Sequence, residues 1–364
     1  MASTPYSPTR RRPFRLILKI TFISMTKPDI SIVICTHKRP DMLKDALSSL
    51  IRQETDGEFT YEVLVVFSSC PIEQELIDEL QQQTDAPLRA VMQTRPGQVA
   101  ARNLGLDEAH GEWIANFDDD QIAEPYWLKE LWKTAVEHQC ECVGGALQLH
   151  FPDGCDRELT PKMQRMLGAT VPWDTVRPYT DQQGPGSGNQ MLHRRVFEKL
   201  GKYDESFTLR GYDTDMYRRI RMAGFKSWFN PRALGYHVTP SSRLEDQYFK
   251  ETSLHNGWSF SRRDQLERGS LKTLLIAAAR AAQSALLIWP GLLVSRISGG
   301  SSDNIDRPIQ LWRNEGYIRC TLHTLSPKMF PQRRFFDRYE FRPEVRMAKL
   351  AKASVVTEPV TTQA

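Results

Sequence analysis

Three consecutive carboxylates, Asp118, Asp119 and Asp120, follow the apolar run GEWIANF at residues 111–117. Adjacent like charges repel, so something positive or a helix start must compensate them. An acidic first turn gains from the helix macrodipole. Alternatively, carboxylate oxygens hold a hard cation such as Mg²⁺ or Mn²⁺ against phosphates. A second acidic pair, Asp213 and Asp215, lies in RGYDTDMYRRIRMAG, where Met216 and Ile220 at i, i+4 and a closing Gly224 mark a short helix. Both fall around its first turn, so capping competes there with general-base chemistry.

The surrounding elements decide where such groups meet. ISIVIC (30–35) is a continuous β-branched run, as expected of a strand buried on both faces. PDMLKDALSSLIRQ follows, with Leu43, Ala46, Leu47 and Leu50 on one helical face and Pro40 at its start. YEVLVVF, LRAVMQT and GEWIANF form three further strands, separated by the helical stretches PIEQELIDELQQQ and PGQVAARNLGLDEA. This alternation predicts a doubly wound parallel sheet over residues 29–120. Ligands of such sheets bind beyond the carboxyl ends of the strands. Asp118, Asp119 and Asp120 fall at that edge, as does the loop CTHKRP after the first strand, with Thr36 and Arg39 as candidate ligand contacts. Neither G-x-G-x-x-G after the first strand nor G-x-x-x-x-G-K-[ST] anywhere is present, which disfavours dinucleotide and P-loop binding. A cation bridging phosphates then leads over the helix start.

Four segments occur together and in order: ISIVICTHKRPDMLKDALSSLIRQ, PGQVAARNLGLDEAHGEWIANFDDD, GSGNQMLHRRVFEKLGKYDESF and DTDMYRRIRMAGF. As a set they resemble the family 2 glycosyltransferases over roughly residues 29–240. The resemblance implies a GT-A fold and inverting transfer from a nucleotide-activated sugar. It places Asp118, with Asp119 beside it, against the nucleotide sugar and gives Asp118 and Asp120 to a divalent Mg²⁺ or Mn²⁺. It also implies Asp213 as the catalytic base, with Asp215 as the fallback, and Tyr212 where the family usually has Glu. His237 matches a histidine beside the metal and diphosphate, a structural histidine being the competing explanation. Arg102 and Asn103 match a segment bordering the nucleotide. Gly188 and Asn189, in GPGSGNQ, match one shaping the sugar and acceptor pocket. One departure stands out. Where the family has an Asp that recognises the base, this chain has Phe67, which can stack on a base but cannot accept its imide proton.

The expected organisation is an N-terminal extension over 1–28, disordered or mis-assigned, and a GT-A catalytic domain over 29–250. A helical C-terminal region over 251–325 and a basic-aromatic tail over 326–364 complete it. Within the helical region, LKTLLIAAARAAQSALLIWPGLLVSRI (271–297) is the most apolar stretch. Arg280 and Gln283 interrupt it and Pro290-Gly291 breaks it, which favours an interfacial or re-entrant helix over a span. A helix packed on the catalytic domain is the alternative. Residues 328–352 carry eight Lys or Arg against three Asp or Glu among aromatics, a composition suited to an anionic membrane surface. A net charge of +4 with no recognisable motif argues against nucleic acid as a partner. Six cysteines lack zinc-site or disulfide-framework spacing, which fits a reducing cytoplasmic compartment.

The expectation is therefore a metal-dependent enzyme at the inner face of the cell membrane, moving a sugar to a glycan or lipid-linked acceptor. A catalytically inactive GT-A domain serving as a binding or assembly subunit is the alternative. A nucleotidyltransferase fits less well, for CTHKRP is a poor substitute for its glycine-rich, basic loop.

Overall fold

The computed structural model describes residues 27–170, 173–181, 183–207, 211–297 and 305–331. The N-terminal extension, apart from residues 27 and 28, and the tail beyond residue 331 lie outside the described residues.

Four strands, β1 (Ile30–Thr36), β2 (Tyr61–Ser68), β3 (Leu88–Gln93) and β4 (Trp113–Asp118), pair in parallel in the order β3-β2-β1-β4. Helices α1 (Pro40–Leu50), α2 (Gln74–Gln81) and α3 (Gln98–Glu108) make the crossovers. Strand side chains alternate between faces, and that alternation builds two cores. Ile30, Ile32, Ile34, Val63, Val65 and Phe67 pack with α1, α2 and the later helix α4 (Trp127–His138). Val33, Leu64 and Val66 face α3 and, further along, α6 (Arg194–Leu200) and α7 (Tyr212–Met222). Gly105 lets α3 settle onto this second face, since a Cβ there would overlap the Val33 side chain.

Beyond β4 the sheet becomes mixed. It gains β5 (Gln121–Ala123), β6 (Cys142–His150), β7 (Arg177–Pro178), β8 (Asn189–His193) and β9 (Ser227–Val238), with the short helix α5 (Pro161–Met166) between β6 and β7. The order is β3-β2-β1-β4-β8-β6-β9-β5, with β7 on β9. β8 lies antiparallel between β4 and β6, β5 antiparallel to β9, and β6 parallel to β9. The parallel half follows the period of the sequence, whereas the antiparallel strands extend the sheet past the point where strand and helix alternate.

After β9 a 3₁₀ turn (Ser241–Leu244) leads into α8 (Asp246–Gln283), a π segment (Ser284–Ile288), α9 (Trp289–Ile297) and α10 (Asp306–Leu325). Helix α8 breaks at Gly269, whose φ of 79° and ψ of 165° are not helical, and both halves lie against α10. Before the break, Tyr317 donates to Asp264 at 2.8 Å and Ser261 meets Thr321 at 2.9 Å. After it, Arg280 donates to Asn314 at 3.0 Å and covers the Tyr317 ring. Gly257 and Gly316 bring the first half and α10 into backbone contact. A Cβ on Gly257 would strike the Arg313 carbonyl, and one on Gly316 the Leu254 carbonyl.

The segment Asp246–Val294 meets the length and composition of a membrane helix, yet only 17% of its most apolar window is buried. Leu271, Leu275, Leu286 and Leu287 are 73%, 62%, 73% and 68% exposed. The apolar stretch thus packs along one side, through Thr273 and Ala277, and leaves the other uncovered.

Candidate active site

The three carboxylates are held by different partners. β4 ends at Asp118, whose side chain is 31% exposed and accepts from Arg102 Nη2. The guanidinium of Arg102 has no exposed surface. Its Nε donates to the Tyr212 hydroxyl at 3.0 Å and its Nη1 to Asn116 Oδ1 at 3.5 Å. Ser187 meets the Tyr212 hydroxyl at 2.8 Å, which ties α3, the end of β4, the loop before β8 and α7 together around one buried charge. Asp118 lies against Gly188, where a side chain would displace its carboxylate.

Asp119 is buried and accepts from Thr36 Oγ1 at 2.8 Å and Arg39 Nη1 at 3.3 Å. Asp120 is the most heavily countered of the three. Arg243 Nη2 lies 2.9 Å away, His237 Nε2 3.4 Å and Arg39 Nη1 3.5 Å. Burial alone would raise the Asp120 carboxyl, but His237, Arg243 and Arg39 outweigh it and hold it well below the ordinary carboxylate range. Asp119 moves the other way, pushed up by burial and by its charged neighbour Asp120.

The sheet explains why His237 and Arg243 reach this point. Gln121 pairs with His237 across β5 and β9, and the Val238 amide donates to the Asp120 carbonyl at 2.8 Å. Gly168, at φ 107°, covers the His237 ring so closely that a side chain would press on it. The turn after β9 then delivers Arg243, whose Nη1 lies 3.2 Å from His237 Nε2.

On α7 the two acidic residues divide. Asp215 is buried and ion-paired to Arg218 at 3.0 Å and Arg219 at 2.9 Å. Asp213 is half-buried, has no ion-pair partner among the described residues, and accepts only from Thr214.

The donor set suits a hard divalent ion by its chemistry. Asp120 and His237 converge, and Asp118 presents a partly exposed carboxylate at the same strand end. Among the described residues no three His, Cys, Asp or Glu side chains form a ready-made metal cage.

Comparison with known proteins bears on the family and the fold. The model of glycosyl transferase family 2 matches residues 31–218, just over half of the chain. The chain belongs to glycosyl transferase family 2. Its relatives include the succinoglycan biosynthesis protein ExoM of Rhizobium meliloti, 24% identical over 236 residues that make up 64% of this chain and 74% of ExoM. The O-antigen biosynthesis protein RfbC of Myxococcus xanthus is 27% identical over 233 residues, covering 60% of this chain but only 18% of RfbC. Among solved structures, a mannosyltransferase from Pyrobaculum calidifontis in complex with GDP-Man and Mn²⁺ shares the fold. The match has a TM-score of 0.52 at 17% identity and covers 83% of this chain and 88% of the other. The fold is accordingly the GT-A type.

Within this family 2 domain, Thr36, Arg39, Arg102, Asp118, Asp119, Asp120, Gly188 and His237 gather at one sheet edge. Four other candidates turn away from it. Phe67 is 1% exposed and its ring belongs to the core beneath α1 and α2, so it has no free face for a base. Asn103 spans the turn after α6, donating to the Tyr203 carbonyl and accepting from its amide. Asn189 accepts from Trp127 Nε1 at 2.7 Å and donates to the Ala146 carbonyl at 2.9 Å, a bracket across the sheet. Asp215 is consumed by its two arginines. Conversely, Arg243 and the Tyr212 hydroxyl belong to the site although the motifs did not single out either as a functional group. For Tyr212 the signal was present, as the residue standing where Glu is usual.

Proposed function

We propose that the protein transfers a sugar, with inversion, from a nucleotide-activated donor to a glycan or lipid-linked acceptor in the synthesis of a surface polysaccharide or glycolipid. The observation that carries this reading is the grouping of Asp118, Asp119 and Asp120 with Arg39 and Arg243 at a strand end, with Asp213 at the start of the neighbouring helix. The names of ExoM and RfbC support the polysaccharide setting.

Asp120 and His237, joined by Asp118, would hold Mg²⁺ or Mn²⁺, which when bound neutralises charge on the departing diphosphate. Arg39 and Arg243 then exchange Asp120 for phosphate oxygens, which guanidinium forks match well. Arg102, fixed from behind by Tyr212, holds the Asp118 carboxylate in place at the strand end, toward the donor. Asp213 takes the proton of the acceptor hydroxyl as it attacks the anomeric carbon from the face opposite the diphosphate. The exposed leucines after Gly269 support peripheral contact with the cytoplasmic face of the membrane.

The test is turnover of a panel of nucleotide sugars with and without Mn²⁺. Metal-dependent release of a nucleoside diphosphate from one donor supports the reading. Nucleotide binding with no turnover of any donor would instead support the binding-subunit alternative.

A further inference from the structure

One guanidinium at the carboxylate triple engages both side chains that converge as metal ligands. Arg243 Nη2 donates to Asp120 Oδ2 at 2.9 Å, and its Nη1 lies 3.2 Å from His237 Nε2. Arg39 Nη1 stands 3.5 Å from the same Asp120 oxygen. An imidazole nitrogen offers a single lone pair, and a guanidinium donates without accepting. His237 Nε2 therefore serves either the Arg243 N–H or a metal ion, not both. At Asp120 the conflict is one of charge. A divalent ion there would sit against two guanidiniums, and buried charges are little screened.

Of Asp120, His237 and Arg243, only the arginine is free to give way. The His237 ring lies against the backbone of Gly168, and its Nδ1 is 3.4 Å from Thr239 Oγ1. Asp120 is bound into the sheet, its carbonyl accepting from the Val238 amide at 2.8 Å. Arg243 reaches them on a long side chain that is 17% exposed. The turn that carries it is anchored separately, as Arg157 donates to the Leu244 carbonyl at 2.5 Å and to Asp246 at 2.7 Å. A swing of the Arg243 side chain over a fixed backbone is thus enough to free both ligand atoms. Arg39 can stay on Asp119, at 3.3 Å, while this happens.

Resting on the metal site and diphosphate contacts of the proposed function, we infer that Arg243 sets the order of binding. While it bridges Asp120 and His237 it keeps a free divalent ion out, and it yields to the ion and the diphosphate together. Only that exchange balances. Phosphate oxygens accept the Arg243 fork, and the released Asp120 oxygen and His237 nitrogen turn to the ion. An ion alone would leave Arg243 without an anion and beside a second cation. A diphosphate alone would bring its charge up to three carboxylates. The species that the site admits is accordingly the metal complex of the nucleotide sugar.

The experiment titrates Mn²⁺ into the full-length protein by electron paramagnetic resonance, without nucleotide and with saturating UDP or GDP. Wild type, Arg243→Gln, Arg243→Lys and Arg52→Gln are compared, and thermal melts check that each is folded. Arg52 is exposed and controls for the loss of one positive charge. Without nucleotide, Arg243→Gln should bind Mn²⁺ about tenfold or more tighter than wild type. Arg243→Lys, a point charge that cannot bridge both atoms, should fall between them, and Arg52→Gln should match wild type. Nucleotide should raise the Mn²⁺ affinity of wild type about tenfold more than that of Arg243→Gln. Equal affinity of wild type and Arg243→Gln without nucleotide overturns the inference. So does the same tightening in Arg52→Gln, which would reduce the effect to net charge. Absence of Mn²⁺ binding by every form, with nucleotide or without, sinks the inference and the metal site together. Donor turnover is assayed separately. Metal-dependent turnover beside an Arg243-indifferent Mn²⁺ affinity removes this role and leaves the transferase reading. Arg243-limited Mn²⁺ binding without turnover of any donor does the reverse.

Discussion

At the scale of residues, two arginines that touch the carboxylate triple have opposite duties. Arg102 is sealed in, whereas Arg243, on the short 3₁₀ turn after β9, keeps some exposed surface and in the proposed function trades Asp120 for phosphate. Arg102→Ala should lower unfolding stability by about 3 kcal/mol or more, because it leaves a buried network without its charge. Urea titration of that variant beside Arg243→Gln measures the contrast, and the second should be much milder. For the proposed base, Asp213→Asn should cut turnover by about two to four orders of magnitude while nucleoside diphosphate affinity in Mn²⁺ stays near wild type. Asp215→Asn should instead lower the melting temperature, since it strands two arginines. If Asp215→Asn proves the catalytic lesion and Asp213→Asn the mild one, the assignments must be exchanged. The aspartates were legible because contiguous acids at a strand end are costly and conspicuous. Arg243 was not, for a lone arginine six residues past His237 in an irregular turn carries no periodicity. Phe67 could have been placed from the pleat alone. It shares parity with Val63 and Val65, so it joins their core face.

Among elements, the first four strands and three helices followed from hydrophobic period, because strands buried on both faces are written in continuous β-branched runs. The antiparallel strands β6 and β8 were not identified as strands. Their sequences, CVGGALQLH and NQMLH, are short or interrupted by glycines, and their partners lie far away in sequence. Two joints between elements yield tests. Glu62 on β2 accepts from Ser31 at 2.6 Å, Arg89 at 2.9 Å and the His110 amide at 2.8 Å, fastening three parallel strands to the end of α3. Burial alone would raise its carboxyl, but the hydrogen bonds from Arg89, Ser31 and the His110 amide hold it below its ordinary value of 4.5. A carboxylate lowered on folding contributes stability above its unfolded pKa and loses it as pH falls through the folded one. Glu62→Gln should thus cost about 2 kcal/mol at neutral pH, with the gap from wild type closing below that value. Chemical denaturation across pH 3–7, a range chosen to bracket the transition, would show it, and a pH-independent gap would refute it. The second joint is the backbone contact of α8 with α10. Gly257→Ala forces a methyl into the Arg313 carbonyl and should destabilise by about 1–3 kcal/mol. Gly269→Ala, at the break, meets no atoms within 4 Å and acts only through its positive φ.

For the whole molecule, one short turn leads from the sheet into the apolar helices, and most of the uncovered leucines, Leu271, Leu275, Leu286 and Leu287 among them, follow the Gly269 break. Replacing Leu271, Leu275, Leu286 and Leu287 together with Ser should abolish sedimentation with anionic vesicles and leave the melting temperature nearly unchanged, since none of the four is buried. Persistent vesicle binding by that variant would place the contact elsewhere. Binding by wild type should keep a component that resists salt, as apolar insertion does and surface charge pairing does not. The apolar run announced itself in the sequence. Its break and its one-sided packing did not, because a single glycine in an interrupted run gives no direction.

The seclusion of Arg102 has a spectroscopic consequence. Its Nε proton is enclosed and donated to the Tyr212 hydroxyl, so its exchange with water requires local opening of the structure. In a ¹⁵N-labelled sample at neutral pH, that side chain should give a sharp, slowly exchanging resonance, set apart from those of exposed arginines. Because the same guanidinium also grips Asp118, the chemical shift becomes a built-in gauge of donor occupancy, readable in solution without any added label.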